Sequence, residues 1–349
     1  MRVVVVGATG NVGTSLLHAL EGETEVASVL GVARRVPTLE FAKTDWARAD
    51  IATDDLVGVF RGADVVVHLA WLIQPSRDLE VLRATNVEGS ERLLKAVVEA
   101  RVPALVYASS VGTYAQGPKD RRVDESWAAS GIASSFYSRH KAEVERLLDR
   151  FEDEQPDVRV VRMRPGLIFK RDAASEVRRL FAGPLLPAFL LRPTLIPFVP
   201  KLDRLRFQAV HSLDVGDAYR LAVTRPVRGA FNVAAEPVLD SETIGRLLRA
   251  RPIPMPPAVL RGAVALSWRL RLQPTPPGWV DLALGVPLMD TSRAREELGW
   301  TPRFGADDAL MELLRGMREH AGLKTPPLDP EAGGPLRAGE LLSGVGGRA

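Results

Sequence analysis

Tyr137 and Lys141 stand four positions apart in FYSRHKAEVERLL (136–148), a stretch with apolar residues on one helical face and Glu, Arg and Lys on the other. Residues at that spacing share a face, so a phenol and an ammonium can approach each other. The pair is either an exposed packing contact or a tuned acid, and the stretch alone does not decide. Ser109 and Ser110 close an apolar run, PALVYASS (103–110), that reads as a buried strand. The C-terminal edge of such a strand is where open α/β sheets bind ligands. Ser109 should point to the opposite side of the strand from Ser110. Taken singly, each residue has a plain structural role: a capping hydroxyl, a packing ring, a solvated cation.

A third group concerns phosphate. Gly7, Gly10 and Gly13 lie in VVVVGATGNVG, between a continuous apolar run and a helical pattern. One glycine permits the tight turn, one lets backbone approach a pyrophosphate, and one lets helix and strand pack closely. The free N–H groups of the new helix favour anionic phosphate. The spacing is a G-x-x-G-x-x-G variant in the strand–loop–helix context that a dinucleotide site requires. Its contacts are expected from Gly7, Thr9, Gly10, Asn11, Val12 and Gly13. At the end of the second strand stand Arg34 and Arg35, with no acid to hold a ribose 2′-hydroxyl. A guanidinium suits a 2′-phosphate, so NADP is preferred over NAD. Asp50 and Ile51 end the next unit, placed to touch an adenine, although a capping aspartate reads almost as well.

These groups need a scaffold, and the first half of the chain supplies one. Short β-rich runs at 2–8, 26–33, 63–71, 103–110 and 157–165 alternate with helical segments. That implies a doubly wound, Rossmann-type parallel sheet with helices on both faces. After Pro165 prolines become dense and the alternation weakens. RLRFQAVH and GAFNVAA are expected to return to the sheet, with SLDVGDAYRLAVT as a helix between them. The expected division is a dinucleotide-binding domain at 1–165, joined by about 203–235, with a smaller C-terminal substrate lobe from 166–202 and 236–321. The Pro/Gly-rich segment 322–349 is expected to be a disordered tail.

Composition narrows the class. The 349 residues are 46% hydrophobic and 26% charged, with net charge +3 and no cysteine. Disulfides, thiolate metal sites and cysteine nucleophiles are excluded. No basic run with interleaved aromatics suggests nucleic acid. The apolar stretch GPLLPAFLLRPTLIPFVP is broken by five prolines, so no stable membrane insertion is expected where a span needs ~20 apolar residues. A cytoplasmic enzyme or binding protein is the plain reading. His211 with Asp214 and Asp217 could suggest metal ligation, but an aspartate helix cap accounts for them better, and no metal is expected. His68 reads as a satisfied core histidine and His140 as solvent-facing.

The ordered set GATGNVG (7–13), DVVVHLA (64–70), NVEG (86–89), the serine strand, YSRHK (137–141), RPGLIF (164–169), VHSLDVGDA (210–218) and LGWTP (298–302) resembles the extended, epimerase/dehydratase-like branch of the short-chain dehydrogenase/reductase superfamily. The resemblance covers most of the chain. It implies Tyr137 as general acid/base, Lys141 stabilising the phenolate and bonding the nicotinamide ribose, and Ser110 holding the substrate oxygen. It places Asn86 near the active site, Leu69 and Ala70 along the cofactor, and Pro165 among the cofactor contacts. A cation within ~4–6 Å can lower a phenol's pKa by ~1–3 units, toward working pH. Hydride would pass to or from nicotinamide C4. The implied activity is NAD(P)-dependent oxidoreduction or epimerisation at a secondary alcohol or ketone of a small molecule, a sugar nucleotide or something more apolar. Two departures bear on the sugar: Leu167 stands where the family commonly has an asparagine, and Phe207 stands four before His211 in place of an arginine, with Arg206 one position off. The greasy lobe segments could instead line a pocket for an apolar substrate. Rival readings are a non-catalytic NADP-binding redox sensor and a membrane-surface enzyme acting on lipid-like substrates. Family members often dimerise through the helix that carries the tyrosine and lysine.

Overall fold

Val3 and Val5 point to one side of the first strand and Val4 and Val6 to the other, and all four are buried. Val3 and Val5 join a core with Leu16, Leu17, Leu20, Val215, Ala218 and Tyr219, and Val4 and Val6 join another with Phe60, Leu93, Val97, Val144 and Leu148. A strand covered on both faces has no polar side to show, which is why RVVVV reads as an unbroken apolar run. The computed structural model describes residues 1–182 and 196–331.

Seven strands build the central sheet: β1 (Arg2–Val6), β2 (Ser28–Ala33), β3 (Thr44–Arg48), β4 (Val65–His68), β5 (Ala104–Ala108), β6 (Arg159–Pro165) and β7 (Gly229–Val233). They lie in the order β7-β6-β5-β4-β1-β2-β3, every pair parallel. The order reverses between β1 and β4, and the crevice beyond their C-terminal ends is where such a sheet takes a ligand. The main helices are α1 (Asn11–Glu21), α2 (Gly89–Glu99), α3 (Phe136–Glu154), α4 (Ser212–Thr224), α5 (Pro257–Arg269) and α6 (Gly278–Gly285). α1 and α4 pack so closely that a Cβ on Gly216 would lie 2.6 Å from Ser15 backbone.

Two expectations change. Of the two segments expected to rejoin the sheet, GAFNVAA supplies β7, but RLRFQAVH does not enter it. Ala209–His211 pairs with Leu167–Phe169 in a separate two-stranded sheet, and Arg206–Phe207 pairs with Leu239–Asp240. Gly166 makes this divergence possible: a Cβ there would sit 2.5 Å from the Gln208 carbonyl oxygen, so only glycine lets the two segments cross. The second change concerns 322–331, which is packed rather than disordered. Leu328 is fully buried, and the N–H groups of Leu328 and Asp329 both donate to the Thr325 carbonyl. An apolar anchor among the prolines gives this segment enough burial to hold it. Residues 332–349 of the expected tail, and 183–195 of the expected lobe, lie outside the described residues.

Candidate active site

The glycine loop and the end of β4 meet across the crevice. Gly7 has φ +87°, and a Cβ on it would lie 2.7 Å from the Ala70 amide nitrogen. A Cβ on Gly13 would lie 2.5 Å from the carbonyl oxygens of Gly7 and Ala8, so this glycine seats α1 against the turn. Gly10 differs: a Cβ there would meet nothing nearer than Gly7 O at 3.6 Å, because this position faces open cleft. The cleft encloses about 490 Å³, and its walls include Gly7, Thr9, Gly10, Arg34, Arg35, Asp50, Ile51, Leu69 and Ala70. These are nine of the positions singled out in the sequence for a dinucleotide, brought together from β1, β2, β3 and β4. A tight turn, an open approach at Gly10 and two exposed guanidiniums at the far end fit a dinucleotide with its phosphates over the loop. Asp50 also accepts from Ala52 N at 2.9 Å, so it stabilises its own turn while lining the cleft. Asn11, Val12 and Gly13 shape the helix entry instead of lining the cleft: Asn11 Nδ2 donates to Ile168 O, and Val12 packs on the core. Pro165 ends β6 in register with Val233 and is likewise outside the cleft wall.

Ser138 fixes the start of α3 against the serine loop. Its hydroxyl donates to Gly112 O at 2.5 Å and accepts from Ile132 N at 2.7 Å, and Ser135 caps the helix. This brings the Tyr137 ring over residues 110–112. A Cβ on Gly112 would come within 2.7 Å of Tyr137 Cε1, so a side chain there would displace the ring. Ser110 and Tyr137 interact through their hydroxyls. Burial pushes the phenol above its ordinary pKa, and the Ser110 bond pulls it part of the way back. Ser109 faces the other way and donates to Glu145 Oε1 at 2.5 Å.

Lys141 lies one turn on, almost fully buried. Its ammonium donates to Ala108 O at 2.5 Å and sits 3.5 Å from the ring centroid of Trp71 and 5.9 Å from that of Tyr137. Burial holds its pKa well below the usual lysine value, opposed by the Glu145 carboxylate. Glu145 is itself buried between Arg162 (3.0 Å) and Arg164 (2.8 Å). Burial pushes its carboxyl up, but Arg164, Arg162 and Ser109 more than offset this and leave it below the ordinary value.

Tyr137 has aromatic company that its neighbours in sequence did not announce. Trp71, just past β4, meets it edge-on at 6.0 Å between centroids, and Trp279 of α6 lies 5.0 Å away on the lobe side. Phe181 packs edge-on against Trp279 at 4.9 Å. Trp71 directly follows the expected cofactor contacts Leu69 and Ala70, a positional hint, but the approach of Trp279 from the lobe had no local signal.

The remaining candidates separate. Asn86 is buried in a π-helical turn (Ala84–Glu88), and its amide is committed on both sides: Oδ1 accepts from Leu72 N and Nδ2 donates to Leu72 O, each at 2.7 Å. It therefore holds the 69–75 loop that walls the cleft. His140 is buried against Phe136, not solvent-facing, and burial lowers its pKa to about 4. His68 bonds Ser90 at 2.9 Å and is driven by burial to about 3, so it is neutral. The cap of α4 is His211, whose Nδ1 accepts from Leu213 N, not an aspartate. Asp214 instead accepts the N–H groups of Arg303 and Phe304, both at 3.0 Å. Among the described residues no cluster of metal-ligating side chains forms. Arg206 is tied to Lys119 O, and Phe207 packs in a satellite core, so neither stands ready for a diphosphate.

Comparison with known proteins agrees with this geometry. Over 329 residues the chain is 27% identical to an uncharacterized protein of Mycobacterium tuberculosis (strain ATCC 25618 / H37Rv), covering 93% of this chain and 31% of that protein. The chain thus spans about a third of the length of the first curated relatives it matches. It is 28% identical over 181 residues to a decarboxylating sterol-4-alpha-carboxylate 3-dehydrogenase of Candida albicans, covering 48% of this chain and 50% of that enzyme. Its fold is similar to that of a UDP-glucose 4-epimerase of Thermotoga maritima solved with UDP-glucose, with TM-score 0.68, 18% identity, and coverage of 91% of this chain and 99% of that one. The profile of the NAD dependent epimerase/dehydratase family matches residues 3–234, the glycine loop, the tyrosine helix and the sheet through β7 together, and the chain belongs to that family.

Proposed function

We propose that this protein is an NAD(P)-dependent oxidoreductase acting on an apolar secondary alcohol or ketone, with NADP(H) the preferred cofactor. The observation that carries the reading is the setting of Tyr137. Its ring stands between Trp71 and Trp279, with the Ser110 hydroxyl beside its oxygen and the Lys141 cation one turn away. An aromatic wall suits a flat apolar substrate better than a sugar diphosphate, whose many hydroxyls and charges need polar partners. The sterol dehydrogenase relative points the same way.

When bound, the nicotinamide supplies or accepts the hydride. The chain's residues do the rest. Of the residues that line the cleft, Gly7, Thr9 and Gly10 would hold the phosphates, Asp50 and Ile51 the adenine, and Arg34 and Arg35 the 2′-phosphate. Ser110 orients the substrate oxygen against the phenol. Burial keeps Tyr137 protonated at neutral pH in the free protein, so it is set to donate a proton to a carbonyl being reduced. The Lys141 charge then stabilises the phenolate left behind.

The test is oxidation of NADPH and NADH with a panel of steroid-like and aryl ketones alongside sugar nucleotides. Turnover with apolar ketones and NADPH is expected. Tyr137→Phe should still bind cofactor but lose turnover by about a hundredfold or more. Absence of cofactor binding by calorimetry, or normal turnover in Tyr137→Phe, overturns the reading. Arg34→Glu with Arg35→Glu should reverse the NADP preference, and an unchanged preference would remove the 2′-phosphate assignment.

A further inference from the structure

We propose that the substrate lobe docks on anionic phospholipid bilayers through the outer face of α5. This helix is unusual in having no buried residue over its 13 positions. Its outward face follows the helical repeat: Val259, Gly262, Ala263, Leu266, Arg269 and Leu270 are all exposed, whereas Leu260, Val264, Ser267 and Trp268 turn partly inward. Val259, Leu266 and Leu270 are 56%, 59% and 61% exposed, and Leu272 follows at 48%. Large apolar side chains are exposed singly on any surface, but a row at helical spacing marks an interaction face.

The charge around the helix says what that face meets. From residue 243 to 280 the sequence holds six arginines (246, 249, 251, 261, 269 and 271) and no aspartate or glutamate. An arginine-bearing surface with outward leucines, on which Asp281 is already paired with Arg261, is the composition of a helix lying in the headgroup layer, its apolar face inserted and its remaining cations near lipid phosphates. Among the described residues no helix is long and apolar enough to cross a membrane, so the association is peripheral.

The helix is also joined to the site. Arg261 pairs with Asp281 of α6, and Trp268 lies under the Arg77 guanidinium at 4.3 Å. A cavity of about 270 Å³ between Trp268 and Trp279 reaches Phe136, the neighbour of Tyr137. A bilayer at α5 would therefore lie beside the aromatic wall of the site. Docking itself needs no turnover, so it stands or falls separately from the oxidoreductase reading.

The experiment is cosedimentation of the full chain with vesicles of phosphatidylcholine alone and of phosphatidylcholine mixed equally with phosphatidylglycerol. The expected result is binding to the anionic vesicles that weakens with salt. Leu266→Glu with Leu270→Glu should lower partitioning by about tenfold or more while the thermal midpoint and cofactor affinity stay unchanged. A wild-type protein left in the supernatant, or a double variant that binds as well as wild type, overturns the proposal. So does a concentration-dependent dimer abolished by the same variant without vesicle binding, which would make a second copy the occupant. Strong hydrogen-exchange protection of 257–269 in the free protein, again without vesicle binding, would assign the face to the chain's own remaining segments.

Discussion

Replacing Glu145 with glutamine tests the buried network beneath the site. The carboxylate is 1% exposed and accepts from Arg162 at 3.0 Å, from Arg164 at 2.8 and 3.0 Å, and from Ser109 at 2.5 Å. Removing one partner of a buried ion pair costs ~3–5 kcal/mol, because the other charge stays behind unpaired. Here the two arginines are affected unequally. Arg162 keeps Asp149 and Glu152. Arg164 keeps the neutral Tyr114 hydroxyl and Glu125 carbonyl. With one of the two cations still paired, the low end applies, about 3 kcal/mol, or a fall in Tm of roughly 4 °C for a chain of this size. Urea denaturation of the cofactor-free protein measures it. Glu145→Leu combined with Arg164→Met should recover part of the loss, since it removes both charges. The pH dependence has a definite sign. The folded pKa of Glu145 lies below its ordinary 4.5, so the carboxylate's contribution is complete above that value and disappears as pH falls through the folded one. The glutamine variant should lose that part of the acid limb. A loss under about 1 kcal/mol, or a double variant as unstable as the sum of its parts, would refute the view that Glu145 neutralises this cluster.

Three more outcomes follow from the geometry. Gly7→Ala forces a Cβ to within 2.7 Å of Ala70 N at φ +87°, and should abolish cofactor binding by calorimetry while costing about 1–3 kcal/mol of stability. Asn86→Ala leaves the Leu72 N–H and C=O without their partners; chemical denaturation should show a loss of about 1–3 kcal/mol, and cofactor Kd should rise because the loop walls the cleft. Lys141→Met removes a cation that burial disfavours, so the cofactor-free protein should gain about 1 kcal/mol at neutral pH while turnover is lost. That gain should be largest at low pH and should fade as pH rises through the lowered folded value toward 10.5.

What could be read from the sequence was local. Gly7, Gly10 and Gly13 announce their work by spacing within one turn, and the offset of four between Tyr137 and Lys141 does the same. The opposite facing of Ser109 and Ser110 follows from the two-residue period of a strand, and the structure sends them to Glu145 and Tyr137 respectively. What escaped depends on contacts made across the chain. Trp71 and Trp279 are 208 positions apart, and nothing near either shows that both reach the same ring. The committed amide of Asn86 depends on where Leu72 lies. His140 read as polar surface because histidine beside a charged helical face usually is, but it is buried, with its ring edge-on to Phe136. The segment 322–331 looked featureless because Pro/Gly content hid one leucine with a place to go.

The late arrival of β7 has a consequence for biosynthesis. β6 is complete at residue 165, yet the strand that covers its outer side is not made until 229–233. During translation the nascent sheet therefore offers a strand with its outer backbone N–H and C=O groups unpaired while the intervening residues emerge, and such borders recruit other strands. A ribosome pausing between those points would hold the chain at its most aggregation-prone length, so chaperone capture should peak there and fall once Val233 has cleared the exit tunnel.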